Sequence, residues 1–368
     1  MRISLGLLLL GSVALVACSG DDGGAGTIRR GNPGASAPTD STAPSAAPAA
    51  STAVACPSTV AAPTTISADD KNATDVRIVG GVIVYRDTLK VVAIDPASGK
   101  RSELYTSPDL VHSFADEAVL ATIESPNPPD AVLKVMPAKG AQDPAKVLTV
   151  TPDGWSAGGT YVFGSDDTSL YVLADVTNQG DTIYKVSKAD PSSMTVLAQL
   201  EGASLGDAQL AGNDVWFVRD QKRVYRVEQT VDATDPANPL LVPAPATEVF
   251  GIGYAECKLA VGGSHAFCST GKALEQRSLT GADMQTVFDA AKVAAPTLLG
   301  SAMFGTDSVF VRSLPANATD PLKNGIHAIK GTDDKLVACG RETINAIAAD
   351  STSVVWAEQG KGVFRAPR

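Results

Sequence analysis

Past residue 75 the chain alternates short apolar runs, rich in Val, Ile, Leu and aromatic residues, with clusters of Gly, Asp, Asn and Pro. Short β-branched runs punctuated by turn formers predict strands rather than helices. One strand type recurs along the chain. It reads Val82-Ile83-Val84-Tyr85, then Ala118-Val119-Leu120, Leu170-Tyr171-Val172-Leu173, Val215-Trp216-Phe217-Val218, Ala266-Phe267-Cys268, Val309-Phe310-Val311 and Val354-Val355-Trp356. Several copies follow a polar turn, such as Gly-Asn-Asp at 212–214, Gly-Thr-Asp at 305–307 or Asp-Ser-Thr at 350–352. The spacing between copies averages about 45 residues. Four short strands with their turns fill that length, which is one blade of a β-propeller.

Seven copies predict an all-β chain folded as a β-propeller of seven four-stranded blades, with six and eight as the neighbouring counts. Two β-sandwich domains are the competing architecture, but sandwiches seldom hold one period over the whole length. The first unit places strands at 76–79, 82–86, 89–95 and 101–105. The third places them at 161–164, 170–174, 182–187 and 195–200. The last unit has strands at 344–349, 354–358 and 363–366 and ends one strand short at Arg368. A missing strand leaves exposed edges, which closed folds avoid. The segment 58–66 is the natural donor, so an amino-terminal strand is expected to close the ring.

The first residues follow a different grammar. Arg2 precedes an apolar run from Ile3 to Val16, too short for a membrane span and suited to the core of a secretory signal. That run ends in Leu15-Val16-Ala17-Cys18, which resembles the lipobox of bacterial lipoproteins. The resemblance implies cleavage of a signal peptide at 1–17, with acyl chains on the sulfur and new amino terminus of Cys18. It also implies a lipid-anchored envelope protein, periplasmic or surface-exposed, and Ser19 favours the outer membrane under the enteric sorting pattern. Residues 18–57 are Ala, Ser, Thr, Pro and Gly with hardly any large apolar side chain. Such a segment cannot bury enough surface to offset its ordering entropy, so it reads as a disordered tether. As a flexible coil it would reach about 35 Å. Residues 58–368 are left as the propeller domain.

Charge narrows the partners. The 368 residues carry 30 Lys and Arg against 40 Asp and Glu, a formal charge of −10. Binding to nucleic acid through phosphates normally needs a basic excess, so no nucleic-acid partner is expected.

Cys18 aside, the cysteines are Cys56, Cys257, Cys268 and Cys339. An exported chain meets an oxidising compartment, where four cysteines allow three pairings or remain as buried thiols. Cys257 and Cys268 fall on neighbouring strands of the fifth unit, so we pair them. That leaves Cys56 with Cys339, beside the place where the amino-terminal strand should dock.

Chemistry is sparse. His112, His265 and His327 are isolated and in different units. No Gly-x-Ser-x-Gly elbow, phosphate-cradling loop or zinc spacing occurs. Trp216 and Trp356, on the recurring strand, read as core. Asp166-Asp167 and Asp333-Asp334 read as solvated turn residues. Loop length is the better guide, because long loops on a rigid scaffold carry binding residues. Long second-to-third-strand connections are expected in the second unit (124–131), the third (174–181) and the sixth (313–325). They carry Glu124, Asp130, Asp175, Asp181 and Asp320. The fourth unit lengthens its next connection instead, through 230–248. On the same face as the three loops, His112, Trp155, Asp207, Tyr254 and Asn345 are expected near the channel mouth.

The stretch 89–100, Leu-Lys-Val-Val-Ala-Ile-Asp-Pro-Ala-Ser-Gly-Lys, resembles a quinoprotein-type propeller repeat, and the last unit resembles modules of bacterial surface propellers. These resemblances imply a non-catalytic propeller lipoprotein that binds an envelope protein or a glycan through its long-loop face. Lactonase- and lyase-type propellers supply the alternative, an enzyme with a divalent cation in the central funnel. No cofactor is expected under the first reading; calcium is the candidate ion under the second.

Overall fold

The computed structural model describes residues 56–368 except 200–204, 221, 233–239, 252–255, 258–264, 270–272, 279–283, 290–295, 299–307, 314–324, 331–332 and 342. The signal segment, Cys18 and the tether up to residue 55 lie outside the described residues, as do Tyr254 and Asp320. No described helix is long and apolar enough to cross a membrane.

Nearly all the regular structure is strand. After β1 (Thr64–Ser67) come β2 (Ala73–Val79), β3 (Val82–Asp87), β4 (Lys90–Ile94) and β5 (Arg101–Thr106), paired in that order as a first sheet. The second sheet is β6 (Leu110–Ala115), β7 (Val119–Glu124), β8 (Val132–Pro137) and β9 (Leu148–Val150). The third is β10 (Trp155–Ser165), β11 (Ser169–Val176), β12 (Gly180–Ser187) and β13 (Met194–Gln199). In the fourth, β14 (Leu205–Ala211), β15 (Asp214–Arg219) and β16 (Arg223–Val227) are followed by a separate hairpin, β17 (Gln229–Asp232) and β18 (Leu240–Pro243), before β19 (Thr247–Phe250) completes the sheet. The fifth holds β20 (Glu256–Cys257), β21 (His265–Ser269), β22 (Ala273–Ser278) and β23 (Met284–Asp289). The sixth holds β24 (Pro296–Leu298), β25 (Ser308–Ser313), β26 (Ile326–Lys330) and β27 (Asp333–Ala338). In the seventh, β28 (Ile344–Ala349), β29 (Ser353–Glu358) and β30 (Gly362–Pro367) are joined by β1 from the other end of the domain. A 3-10 turn at Pro144–Lys146 is the one helical element among the described residues.

The turns follow from local chemistry. Between β2 and β3, Gly80 and Gly81 both take positive φ, 55° and 82°, the backbone of a two-residue hairpin. Three other hairpins use an aspartate instead. Asp116 accepts the amides of Ala118 and Val119, Asp166 those of Thr168 and Ser169, and Asp350 those of Thr352 and Ser353. Each carboxylate replaces a backbone acceptor in the turn. Burial opposes the ionisation of all three. Hydrogen bonds outweigh that cost and hold the groups below the usual carboxylate range.

The second-position strands β7, β11, β15 and β29 are buried on both faces. All six residues of β29 are buried, and of the eight in β11 only Asp175 is not. This explains their continuous apolar sequence, since a strand between two neighbouring sheets has no solvent face. Apolar clusters join the first sheet to the second, the second to the third, the third to the fourth, the fourth to the fifth and the sixth to the seventh. Another joins the seventh back to the first through Tyr85, Ile83, Val355 and Ala357. The arrangement is a β-propeller. Trp216 and Trp356 are buried in it, at 2% and 0% exposure.

Three sequence expectations need correction here. Glu124 ends β7 rather than starting a loop, and its side chain is 3% exposed. It accepts from Lys134 Nζ at 2.7 Å and from the Tyr105 hydroxyl. The long connection in the third sheet does not exist. Strands β11 and β12 pair through to Val176 and Gly180, leaving a turn of three residues and setting Asp175 opposite Asp181. Asp333 and Asp334 lie on β27 rather than in a turn.

Candidate functional site

Strands β2, β6, β10, β14 and β28 each form one edge of their sheet, and each carries a register shift near its start. A bulge there re-aims the side chains that follow. Asp75 sits in the first bulge with φ 52°, a conformation non-glycine residues rarely adopt. Its carboxylate accepts from Arg86 Nε at 2.8 Å and from the Ser113 amide at 3.0 Å. Nδ1 of His112 stands 3.7 Å away. Burial opposes ionisation of Asp75, but His112 and Arg86 outweigh it and hold the group below its ordinary value.

The His112 ring lies 6.1 Å from that of Tyr161. Burial, then the nearby Asp207 carboxylate, keep the Tyr161 phenol protonated well above its usual range, with Asp181 adding to the effect. The fold sets the His112 ring beside Tyr161, with the Asp207 and Asp181 carboxylates near enough to act on its phenol. Tyr161 belongs to the group but was read only as the start of a strand.

Other candidates fall elsewhere. Trp155 is not at the channel mouth. It is 2% exposed, packed between the second and third sheets with its ring 5.0 Å from Tyr184. Asn345 donates through Nδ2 to the Ala73 carbonyl at 3.3 Å, a strut between the seventh and first sheets. Asp130 is exposed on the connection between β7 and β8 and bridges to Ser156. The cysteines pair as expected. Cys56 and Cys339 are in disulfide contact with Cα atoms 6.1 Å apart, as are Cys257 and Cys268 at 4.2 Å, directly opposite each other on β20 and β21. Two such bridges fit an oxidising compartment.

A cavity of about 490 Å³ opens at the other end of the same edge strands. Its wall draws on β2, β6, β10, β14 and β28, which makes it the central channel of the propeller. Charged and polar groups there include Arg77, Asp116, Glu117, Ser165 and Gln209. Long-loop reasoning pointed to the opposite end, so this cavity was not anticipated. Among the described residues, no three His, Cys, Asp or Glu side chains stand close enough to hold a metal ion together. The described channel offers hydrogen bonds, charge and shape.

No family model matches the chain, and no curated protein matches it. Solved structures resemble it in fold. A catalytically inactive virginiamycin B lyase from Staphylococcus aureus, determined with quinupristin, aligns with a TM-score of 0.57 at 11% identity, over 83% of this chain and 99% of that one. PorZ, a bacterial surface component of the type-IX secretion system of Porphyromonas gingivalis, aligns with a TM-score of 0.53 at 11% identity, over 80% of this chain. The match spans only 36% of PorZ. A computationally designed protein, Ika8, aligns with a TM-score of 0.51 at 12% identity, over 83% and 98% of the two chains. At such identities the likeness shows a shared propeller fold and carries no activity with it.

Proposed function

We propose that the protein is a lipid-anchored propeller of the bacterial cell envelope, tethered through Cys18, which binds an envelope protein or a glycan without catalysing a reaction. In this reading the seven sheets are blades of one ring, and β1 closes it. The observation that carries the reading is the way the chain enters the domain. Strand β1 pairs with β30 at the edge of the seventh sheet farthest from the channel strand β28, and Cys56 is tied to Cys339 beside it. A chain fastened at the rim would leave both faces of the ring clear for a partner.

The binding face we assign is the one that carries Asp130 and Asp181. Its excess of carboxylates suits a partner with basic or hydroxyl-rich groups.

Two measurements in cells test this. Labelled palmitate should enter the wild type and not Cys18→Ser. A photo-crosslinking residue at position 130 should capture a discrete envelope partner, whereas one at position 117, at the opposite end, should not. Equal labelling of the Cys18→Ser variant would overturn the anchor. Capture from position 117 and not from 130 would overturn the face.

A further inference from the structure

Arg77 is a charge that the fold leaves without an ion-pair partner among the described residues. It projects from β2 into the central cavity, with its guanidinium carbon 3.9 Å from the centre of the Phe114 ring. Two carboxylates act on it from a distance, and both are spent elsewhere. Asp75 is held by Arg86 at 2.8 Å and the Ser113 amide at 3.0 Å. Asp116 is held by Lys188 at 2.6 Å, the Ser165 hydroxyl at 2.6 Å and two turn amides at 2.8 Å. Each acid is therefore balanced by its own cation. Burial draws Arg77 down to about 10, against the attraction of Asp75 and Asp116.

The geometry also says what could replace it. Stacking on Phe114 occupies the face of the guanidinium and leaves its in-plane N–H donors for another acceptor. That planar fork matches a carboxylate in two parallel hydrogen bonds. Ile78, Phe163, Leu210 and Ile347 give the cavity an apolar side. Glu117, exposed at the rim, adds negative potential that disfavours a doubly charged anion.

We propose that the central channel binds a small monocarboxylate with an apolar body, its carboxylate seated on the guanidinium of Arg77. The site lies at the opposite end of the channel strands from the His112–Tyr161 group. It depends on neither the lipid anchor nor the envelope partner.

The test is a titration of the ¹⁵N-labelled protein with benzoate, following the arginine Nε–H resonances and, in every variant, the backbone amides of the channel strands by NMR. Inorganic phosphate serves as the second probe. Benzoate should shift the Arg77 resonance along a saturating curve. Arg77→Gln should weaken binding at least about tenfold, as loss of a charged hydrogen-bond partner does. Arg77→Lys, which keeps the charge and loses the fork, should bind with intermediate strength and covers the case in which Arg77→Gln does not fold. Glu117→Gln should retain benzoate. Absence of saturation, unchanged binding in the Arg77 variants, or tighter binding of phosphate than benzoate would each overturn the proposal.

Discussion

The hydroxyl of Tyr85 donates to the carboxylate of Asp70 at 2.5 Å, and this contact ties the amino-terminal segment to the first sheet. The same carboxylate accepts from the Ser67 hydroxyl at 2.5 Å and from Arg101 Nη2 at 2.8 Å. Ser67 ends β1, the strand that pairs with β30, so one carboxylate links the first sheet to the strand added to the seventh.

Burial opposes ionisation of Asp70, but hydrogen bonds from Arg101, Ser67 and Tyr85 outweigh it and hold the group below its ordinary 3.8. A depressed carboxylate stabilises the fold fully above its unfolded pKa, and that contribution is lost as pH falls through the folded value. Asp70→Asn should cost about 2 kcal/mol at pH 7, in the range for hydrogen bonds to a charged group. Denaturant unfolding should show the gap between wild type and variant narrowing below pH 4. A gap that does not depend on pH would sink this account of Asp70.

The bridge between Cys56 and Cys339 spans 283 residues of chain. A cross-link over so long a loop removes much freedom from the unfolded state, although measured gains fall short of the entropic limit. Replacing both cysteines by serine should lower stability by about 2–4 kcal/mol. Urea unfolding of oxidised protein against the double variant checks it. Coincident curves would mean that the bridge constrains nothing.

Gly362 has φ 112°, and a Cβ built there would stand 2.0 Å from the Ser67 carbonyl oxygen. Gly362→Ala should therefore push β1 away from β30, at a cost of about 1–3 kcal/mol from backbone strain alone. Gly360→Ala provides the control, because it shares a positive φ but meets nothing within 4 Å. Equal melting temperatures for the two variants would contradict the close approach.

Lys134→Met would leave the Glu124 carboxylate buried without its cation, a loss of about 3–5 kcal/mol when one partner of a buried pair is removed. Adding Glu124→Gln should recover part of that. A double-mutant cycle by thermal unfolding reads the coupling, and additive effects would show that the two groups do not act as a pair.

The strands could be read from the sequence because second-position strands are buried on both faces and repeat. The reading of 344–349 coincides with β28, and that of 101–105 falls one residue short of β5. The site was harder to read, for a definite reason. Candidate residues were placed at the starts of the channel strands, where bulges shift the register between Thr74 and Arg77, Leu110 and His112, Ser156 and Tyr161, and Ile344 and Ala346. Alternation predicts facing only within an unbroken register. Trp155 lies before such a break and turns into the core, while Tyr161 lies after it and joins His112. Glu124 misled for another reason: an acidic residue at a strand end looks like the start of a loop unless its lysine, ten positions on, is known to face it. Arg77 gave no local signal, because what sets it apart is that Asp75 and Asp116 are already satisfied by Arg86 and Lys188.

Amide hydrogen exchange across the seventh sheet tests the central claim, a ring closed by its amino-terminal strand, most directly. Residues Thr64–Ser67 and Gly362–Pro367 should be protected together, opening with a free energy close to that of β29 and far from that of a free chain end. Exchange of 64–67 at the rate of an unstructured peptide, with 362–367 behaving as an open edge, would contradict the closure and the rim attachment built on it.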